Sequence, residues 1–273
     1  MADREPDGSG AAPTGVDIST AHIARVYNYW LGGKDNYAPD REAAAHVIEA
    51  YPPIRVSVRA QRAFLRRAVS YLAAEAGLRQ FLDIGTGLPS ADNTHEVAQR
   101  AAPGARIVYV DNDPIVLAHA RALLTSSPDG ATAYLDADLR DTGKILQAAA
   151  GILDFGQPVA VMLVGVLHCI PDSDDPAGLV RQLVAALTPG SYLVIAHPAS
   201  DIHAEQIGDA ATRFNRVMDD GVTLRSHAEV SRFLAGLEVA EPGLVQLHRW
   251  RPDSEGPEAD GELANYGAVA RKQ

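Results

Sequence analysis

The sequence predicts an α/β protein built on a mostly parallel sheet with helices on both faces. Three observations carry that. From residue 78 onward, short apolar runs alternate with longer stretches whose apolar residues recur at three- and four-residue spacing. One of those runs, "PVAVMLVGVLHCI", is apolar without alternation, as a strand covered on both sides requires. The first run passes straight into Gly85-Thr86-Gly87, where the missing side chains let the backbone turn tightly and approach a ligand.

The opening residues 1–17, "MADREPDGSGAAPTGVD", are polar and hold no apolar core of the kind a signal peptide needs, so a disordered leader is expected there. Residues 18–77 form an expected N-terminal helical cap. "DREAAAHVIEAYP" and "SVRAQRAFLRRAVSYLAAEAG" carry apolar residues at helical spacing, with arginines on the opposite face of the second. Pro52-Pro53 separates the two, and Gly77 is a fitting stop.

Residues 78–273 hold the expected sheet domain. "QFLDIG" is a strand, "ADNTHEVAQRAAPG" a helix and "RIVYVDND" a second strand. "IVLAHARALLTSS" is the next helix, and "ATAYLDADLRD" a strand with its exit loop. "PVAVMLVGVLHCI" is expected as one long strand, followed by the helix "DPAGLVRQLVAALTPG" and a fifth strand, "SYLVIAHPASD". The helix in "EQIGDAATRFNRVMDDGVTLRS" is expected beside the pocket, because insertions after the fifth strand lie there; its Arg213, Asn215, Arg216 and Asp219 name no substrate. "GLVQLHRWRPD" and "NYGAVARKQ" have no helix between them and are expected to pair antiparallel at one edge, with "RPDSEGPEADGE" a surface loop.

The bulk numbers narrow the function. Hydrophobic residues make up 47% of the 273, enough for a sizeable core. A formal charge of −11 disfavours a nucleic-acid partner, whose phosphates need a basic face. Cys169 is the only cysteine, so an internal disulfide and a multi-cysteine zinc site are both out of reach, and a reducing cytoplasm is the expected compartment. No run of eighteen uncharged apolar residues suggests a membrane span.

Chemistry concentrates in "FLDIGTGLPSADN" and the strand end that follows. Asp111 stands two dozen residues after the glycine turn, where a carboxylate can accept hydrogen bonds from both hydroxyls of a ribose. Asp113, directly before Pro114, is the better helix cap, which leaves Asp111 for the sugar. A dinucleotide would favour a third glycine where Ser90 stands, and its pyrophosphate would face the charge of Asp83. A ligand carrying an ammonium and a sulfonium would welcome that charge, and S-adenosylmethionine is such a ligand.

"LDIGTGLPS" with "VDNDP" resembles the first two motifs of class I S-adenosylmethionine-dependent methyltransferases. "RVYNYWLGGKDNYAPDR", "DGVTLRS", "EPGLV…WRPD" and "YGAVARK" resemble, more specifically, the actinobacterial S-adenosyl methyltransferase family once labelled a domain of unknown function. The resemblance runs from about Ile18 to the end. It implies a Rossmann-like class I methyltransferase fold of seven strands with the last reversed, S-adenosyl-L-methionine as cofactor, and no known substrate. It also implies that Asp83, Gly85 and Gly87 line the methionine end, with Asp111 on the ribose and Asn112 beside the adenine. Asp138, rather than Asp136, would reach the adenine amino group, and Leu139 would pack on the ring. Val164, Gly165 and His168 would lie next to the methyl group.

His168 is the candidate proton acceptor, with a satisfied core histidine as the plainer reading; His197, before Pro198 at the end of the fifth strand, stands at a second place where substrate contacts occur, against the same plainer reading. His168, Cys169, Asp172, Asp174 and Asp175 carry metal-ligating atoms, but "PDSDDP" reads more simply as a solvated loop ahead of a helix, and no metal is expected. "ARVYNYWLGGKDNYAPDREAA", residues 24–44, is expected to fold over the strand ends and wall the site. Tyr27 and Tyr37 are its expected cofactor contacts through ring stacking or cation–π attraction, Lys34 an expected partner of a carboxylate, either the cofactor's or one among Asp35's neighbours, and Trp30 packing. The function expected is methyl transfer to a small-molecule acceptor. The alternatives are a cofactor-binding sensor without turnover and, on a similar sheet, an NAD(P)-dependent oxidoreductase.

Overall fold

The computed structural model describes residues 17–123, 126–218, 221–253 and 261–273, and of residues 120–123 the backbone alone. The expected leader, but for residue 17, and most of the acidic loop, residues 254–260, lie outside the described residues.

Three helices lead. Helix α1 (Ile23–Leu31) starts at His22 and stops at Gly32, whose φ of 85° is left-handed. Helix α2 (Ala38–Ala50) begins beside it, and the buried Asp40 carboxylate ties the two starts together: it accepts from the His22 and Tyr37 backbone N–H groups at 2.9 and 2.8 Å. Helix α3 (Ile54–Ser70) follows the Pro52-Pro53 turn, runs into a π-helical turn over Tyr71–Glu75, and ends at Gly77 with φ 74°.

The remaining elements alternate: β1 (Gln80–Ile84), α4 (Thr94–Ala101), β2 (Arg106–Asp111), α5 (Pro114–Leu123), β3 (Ala131–Asp136), α6 (Thr142–Ala149), β4 (Ala160–Val164), α7 (Pro176–Ala185) and β5 (Tyr192–Pro198). Then come α8 (Ala204–Val217), α9 (His227–Ser231), β6 (Glu238–Val239), β7 (Val245–Gln246) and β8 (Asn265–Arg271). The sheet order is β3-β2-β1-β4-β5-β8-β6, with β7 also on β8. Strands β1 to β5 pair parallel with one another, and β8 runs antiparallel to β5 from Tyr192↔Arg271 to Pro198↔Asn265.

Three details differ from expectation. Seven strands become eight because the edge position is shared by β6 and β7, split by Pro242, which has no N–H to donate to a ladder, and by Gly243 at φ 96°. The apolar run after residue 158 is not one long strand: β4 stops at Val164, Gly165 turns at φ 83°, and a 3₁₀ turn covers Leu167–Cys169. Helix α6 was not anticipated, since "TGKILQAA" is short and opens on Thr-Gly.

Successive strand residues point to opposite faces, so the sheet has two cores. Leu82, Val108 and Leu163 join one, and Phe81, Ile107 and Met162 the other. The cap contributes to both: Val26, Trp30 and Val47 to the first, Phe64, Leu65 and Val69 to the second. Helices α1 to α3 are therefore held by the same burial that holds the sheet. Among the described residues no helix is long and apolar enough to cross a membrane.

Candidate functional site

The carboxyl ends of the parallel strands open into a cavity of about 210 Å³, roofed by the cap and by α8. Strand β1 delivers Asp83 to it, buried, with one oxygen accepting from the Thr94 hydroxyl at 2.6 Å. Burial pushes this carboxyl up to about 6; hydrogen bonds from Thr94 and Thr86 and the charge of Arg62 pull the other way, while Asp111 adds to the rise. The turn after β1 needs its glycines. Gly85 has φ 73°, and a Cβ there would overlap the Val166 side chain; Gly87 has φ 67° and faces open space.

Asp111, at the end of β2, braces that turn. One oxygen accepts from the Gly87 N–H at 2.8 Å and the other from the Asp113 N–H at 2.9 Å. Each oxygen keeps a further lone pair. Burial raises this carboxyl too, partly offset by those two bonds and by His22. Asp113 is the helix cap that sequence suggested: it accepts from the Ile115 N–H at 2.8 Å and pairs with the His22 imidazole at 3.0 Å.

At the end of β3, Asp138 and Leu139 line the cavity, whereas Asp136 is exposed and does not. Asp138 is not a free carboxylate: Asn112 donates to it at 3.2 Å, as do the Arg140 backbone at 2.8 Å and its guanidinium at 3.0 Å. Val164 and Gly165 line the middle of the cavity, and the Gln61 amide donates to the Val164 carbonyl at 3.4 Å. His168 follows. Burial, with the charge of Arg225, pushes its imidazole down to about 4, so it is neutral near pH 7, and its Nδ1 has no hydrogen-bond partner.

His197 takes the plainer reading. It is fully buried and does not line the cavity. Arginine can only donate, so the Arg225 contact at 2.9 Å makes Nε2 the acceptor, and the proton on Nδ1 goes to the Pro198 carbonyl at 2.8 Å.

The aromatic segment is divided. Tyr27 and Trp30 line the cavity, with the Tyr27 hydroxyl donating to the Val58 carbonyl at 3.1 Å. Trp30 is buried, 6.3 Å from the Phe214 ring, so it packs and lines at once. Lys34 and Tyr37 are not brought to the cavity, contrary to expectation. After Gly32 the chain turns outward, and the Asn28 side chain holds the turn by accepting from the Asp35 backbone at 3.1 Å and the Asn36 amide at 2.9 Å. Lys34 is left exposed, and Tyr37 packs beside Leu88, Ile115 and Val116 with the Arg25 guanidinium 5.8 Å from its ring.

Sequence reasoning missed Gln61 and Arg62, which α3 lowers into the cavity, and His22. Arg62 donates to the Ala91 and Asp92 carbonyls at 3.0 and 3.1 Å, while its buried Nε has no partner. Its only signal was membership of an arginine stripe, which cannot single out one member. The helix expected on the acceptor side is α8, which contributes Ile207, Ala210 and Phe214. Arg213 instead pairs outward with Glu49 and Asp209, each at 3.0 Å, Asn215 holds Val222, Arg216 is exposed, and Asp219 lies outside the described residues. No group of three or more His, Cys, Asp or Glu is placed to hold a metal among the described residues.

These residues fit S-adenosylmethionine. Asp83 is a buried acid short of positive charge, which an ammonium or sulfonium would supply, and Asp111 has spare acceptors beside a bare backbone turn. The profile of a family described as S-adenosyl methyltransferase matches residues 9–273. The solved structure of a DUF574 family protein from Streptomyces avermitilis MA-4680 is 45% identical, with a TM-score of 0.90 over 94% of this chain and 99% of that one. A protein of Thermobifida fusca YX, solved as a candidate methyltransferase, is 40% identical, with a TM-score of 0.86 over 97% of this chain and 100% of its own. The mitomycin 7-O-methyltransferase MmcR shares the fold alone, at 18% identity and a TM-score of 0.50 over 91% of this chain and 68% of that one. No curated protein matches.

Proposed function

The chain belongs to the S-adenosyl methyltransferase family and is an S-adenosylmethionine-dependent methyltransferase, and from that premise we propose that it methylates a small-molecule acceptor held between the cap and α8. The observation that carries the reading is the pair of buried carboxylates, Asp83 and Asp111, at the ends of adjacent strands on either side of a glycine turn. In this reading Asp83 faces the charged methionine end and Asp111 grips the ribose. Asn112, Asp138 and Leu139 flank the adenine, and Val164, Gly165 and Tyr27 border the methyl group. Lys34 and Tyr37 have no part in it.

The bound cofactor supplies an electrophilic methyl group on sulfur. What the chain adds is alignment and exclusion of water, the main contributions to an in-line displacement. The net charge of −11 supports a small-molecule acceptor over nucleic acid, and a single cysteine supports a cytoplasmic setting.

Calorimetric titration with S-adenosylmethionine tests the assignment. Asp111→Asn keeps one carbonyl acceptor but loses the charge and one acceptor oxygen, and its affinity is expected to fall by about tenfold or more, equivalent to ~1.4 kcal/mol. An unchanged affinity, or binding of NADH in place of S-adenosylmethionine, would overturn it.

A further inference from the structure

Resting on the methyl-donor reading above, we propose that the acceptor subsite takes an uncharged, largely apolar molecule that presents a hydroxyl of phenolic acidity to His168.

Sheet order divides the cavity. The residues read on the methionine, ribose and adenine sit at the ends of β1, β2 and β3, and Val164 and Gly165 at the end of β4 border the methyl group, so the acceptor lies beyond them, toward β5 and β8, where Pro198 and Asn265 pair. There the walls are Trp30 and Ile54 from the cap, Ile207 and Phe214 from α8, and Leu224 beyond it. The charged lining residues among those described are His22, Arg62, Asp83, Asp111, Asp138 and Arg140, and all belong to the cap or to the β1, β2 and β3 ends. Among the described residues, Arg225 and Arg213 near the acceptor side are both committed elsewhere. Arg225 donates to the Leu167 and Ile170 carbonyls and to Asp172, and Arg213 pairs outward. A charged acceptor would lose its hydration and gain no counter-charge.

Polar side chains line this space, Asn265 and Cys169 among them, and the neutral imidazole of His168 is the one that offers a basic ring nitrogen. An aliphatic amine would enter protonated, without the lone pair it needs, and would find no carboxylate to take its proton. An ordinary alcohol holds its proton too tightly for so weak a base, whereas a phenol, near 10, is closer to its reach. As the acceptor oxygen bonds to the methyl carbon, the carbon–sulfur bond breaks and its electron pair stays on sulfur, leaving a neutral thioether. The hydroxyl proton passes to a ring nitrogen of His168, and the imidazolium then returns it to water.

The test is binding. The full chain, saturated with S-adenosylhomocysteine, is titrated with 2-naphthol, 2-naphthoate and 2-naphthylmethylammonium, which share one ring system and differ in charge. Naphthol is expected to bind at least about tenfold more tightly than either ion. Ala211→Asp, on the half-buried inner side of α8, is expected to weaken naphthol at least about tenfold while S-adenosylhomocysteine affinity stays within about twofold. If that variant does not hold S-adenosylhomocysteine, Val222→Lys takes its place with the same expectation. An ion that binds as well as naphthol, no probe bound to protein that holds S-adenosylhomocysteine, or a substituted protein with unchanged naphthol affinity would each overturn the proposal. A native protein that does not take up S-adenosylhomocysteine at all fails the donor reading instead, and this one with it.

Discussion

Asp83 is buried on a strand end with a carboxyl near 6, well above its ordinary 3.8, and that gives the site a pH signature. The groups facing it include Thr94, Thr86, Arg62, Asp111 and the Tyr109 phenol. A cationic ligand needs the ionised form, so S-adenosylmethionine affinity is expected to be flat above about pH 6.5 and to fall as pH drops through 6, with binding near pH 6 releasing a proton. Calorimetry in two buffers of different ionisation heat measures that release, and equal heats would contradict it. The sign for stability is opposite. The folded carboxyl lies above its unfolded value, so ionised Asp83 costs the free protein stability above about pH 6, and the cost is gone below about pH 4. Asp83→Asn is therefore expected to stabilise the free fold at pH 7, by about 1–3 kcal/mol in urea, and to weaken the cofactor. Asp83, Gly85, Gly87 and Asp111 were legible because a strand, a glycine turn and the next strand end form a pattern read locally. Lys34 and Tyr37 were not, because the outward turn after Gly32 depends on what the Asn28 side chain holds.

Among the elements, the loop that ends β4 is held by a buried cation. Arg225 is almost wholly enclosed and donates to the Leu167 carbonyl at 2.9 Å, the Ile170 carbonyl at 2.8 Å and Asp172 at 2.7 Å, while the Thr223 N–H reaches the His168 carbonyl at 2.8 Å. Arg225→Met leaves two buried carbonyls without their guanidinium donor and is expected to cost about 2–4 kcal/mol in chemical denaturation. A loss under 1 kcal/mol would show that the loop holds itself. The string "DGVTLRS" stood out in the sequence as a family mark without a task, and only the tertiary structure gives Arg225 one. For the same reason the strand ahead of the loop looked longer than it is: apolar spacing cannot register that Gly165 turns there or that Leu167 is buried in a 3₁₀ turn.

At the scale of the molecule, the cap and α8 close over a cavity of about 210 Å³, less than the ~300–1,000 Å³ of ordinary small-ligand pockets. Donor and acceptor together require the roof to yield and settle again. Hydrogen exchange is expected to slow in α1 and α8 when S-adenosylhomocysteine binds, and protection confined to the turn at residues 85–87 would refute a moving roof. The parallel sheet, the helices between its strands and the reversed last strand were legible because burial period and turn residues mark them; the split edge was not, since two-residue pairings leave no period to read. That reversed strand has a kinetic consequence. Strand β8 enters the sheet between β5 and the edge pieces, joining residues far apart along the chain, and such non-local pairing is slow to form. The nucleotide-facing turns come from one continuous stretch that can assemble early, whereas the floor beneath the acceptor waits for Asn265 to dock. A chain caught before that docking has the grip for the donor and nowhere to seat what the donor would modify.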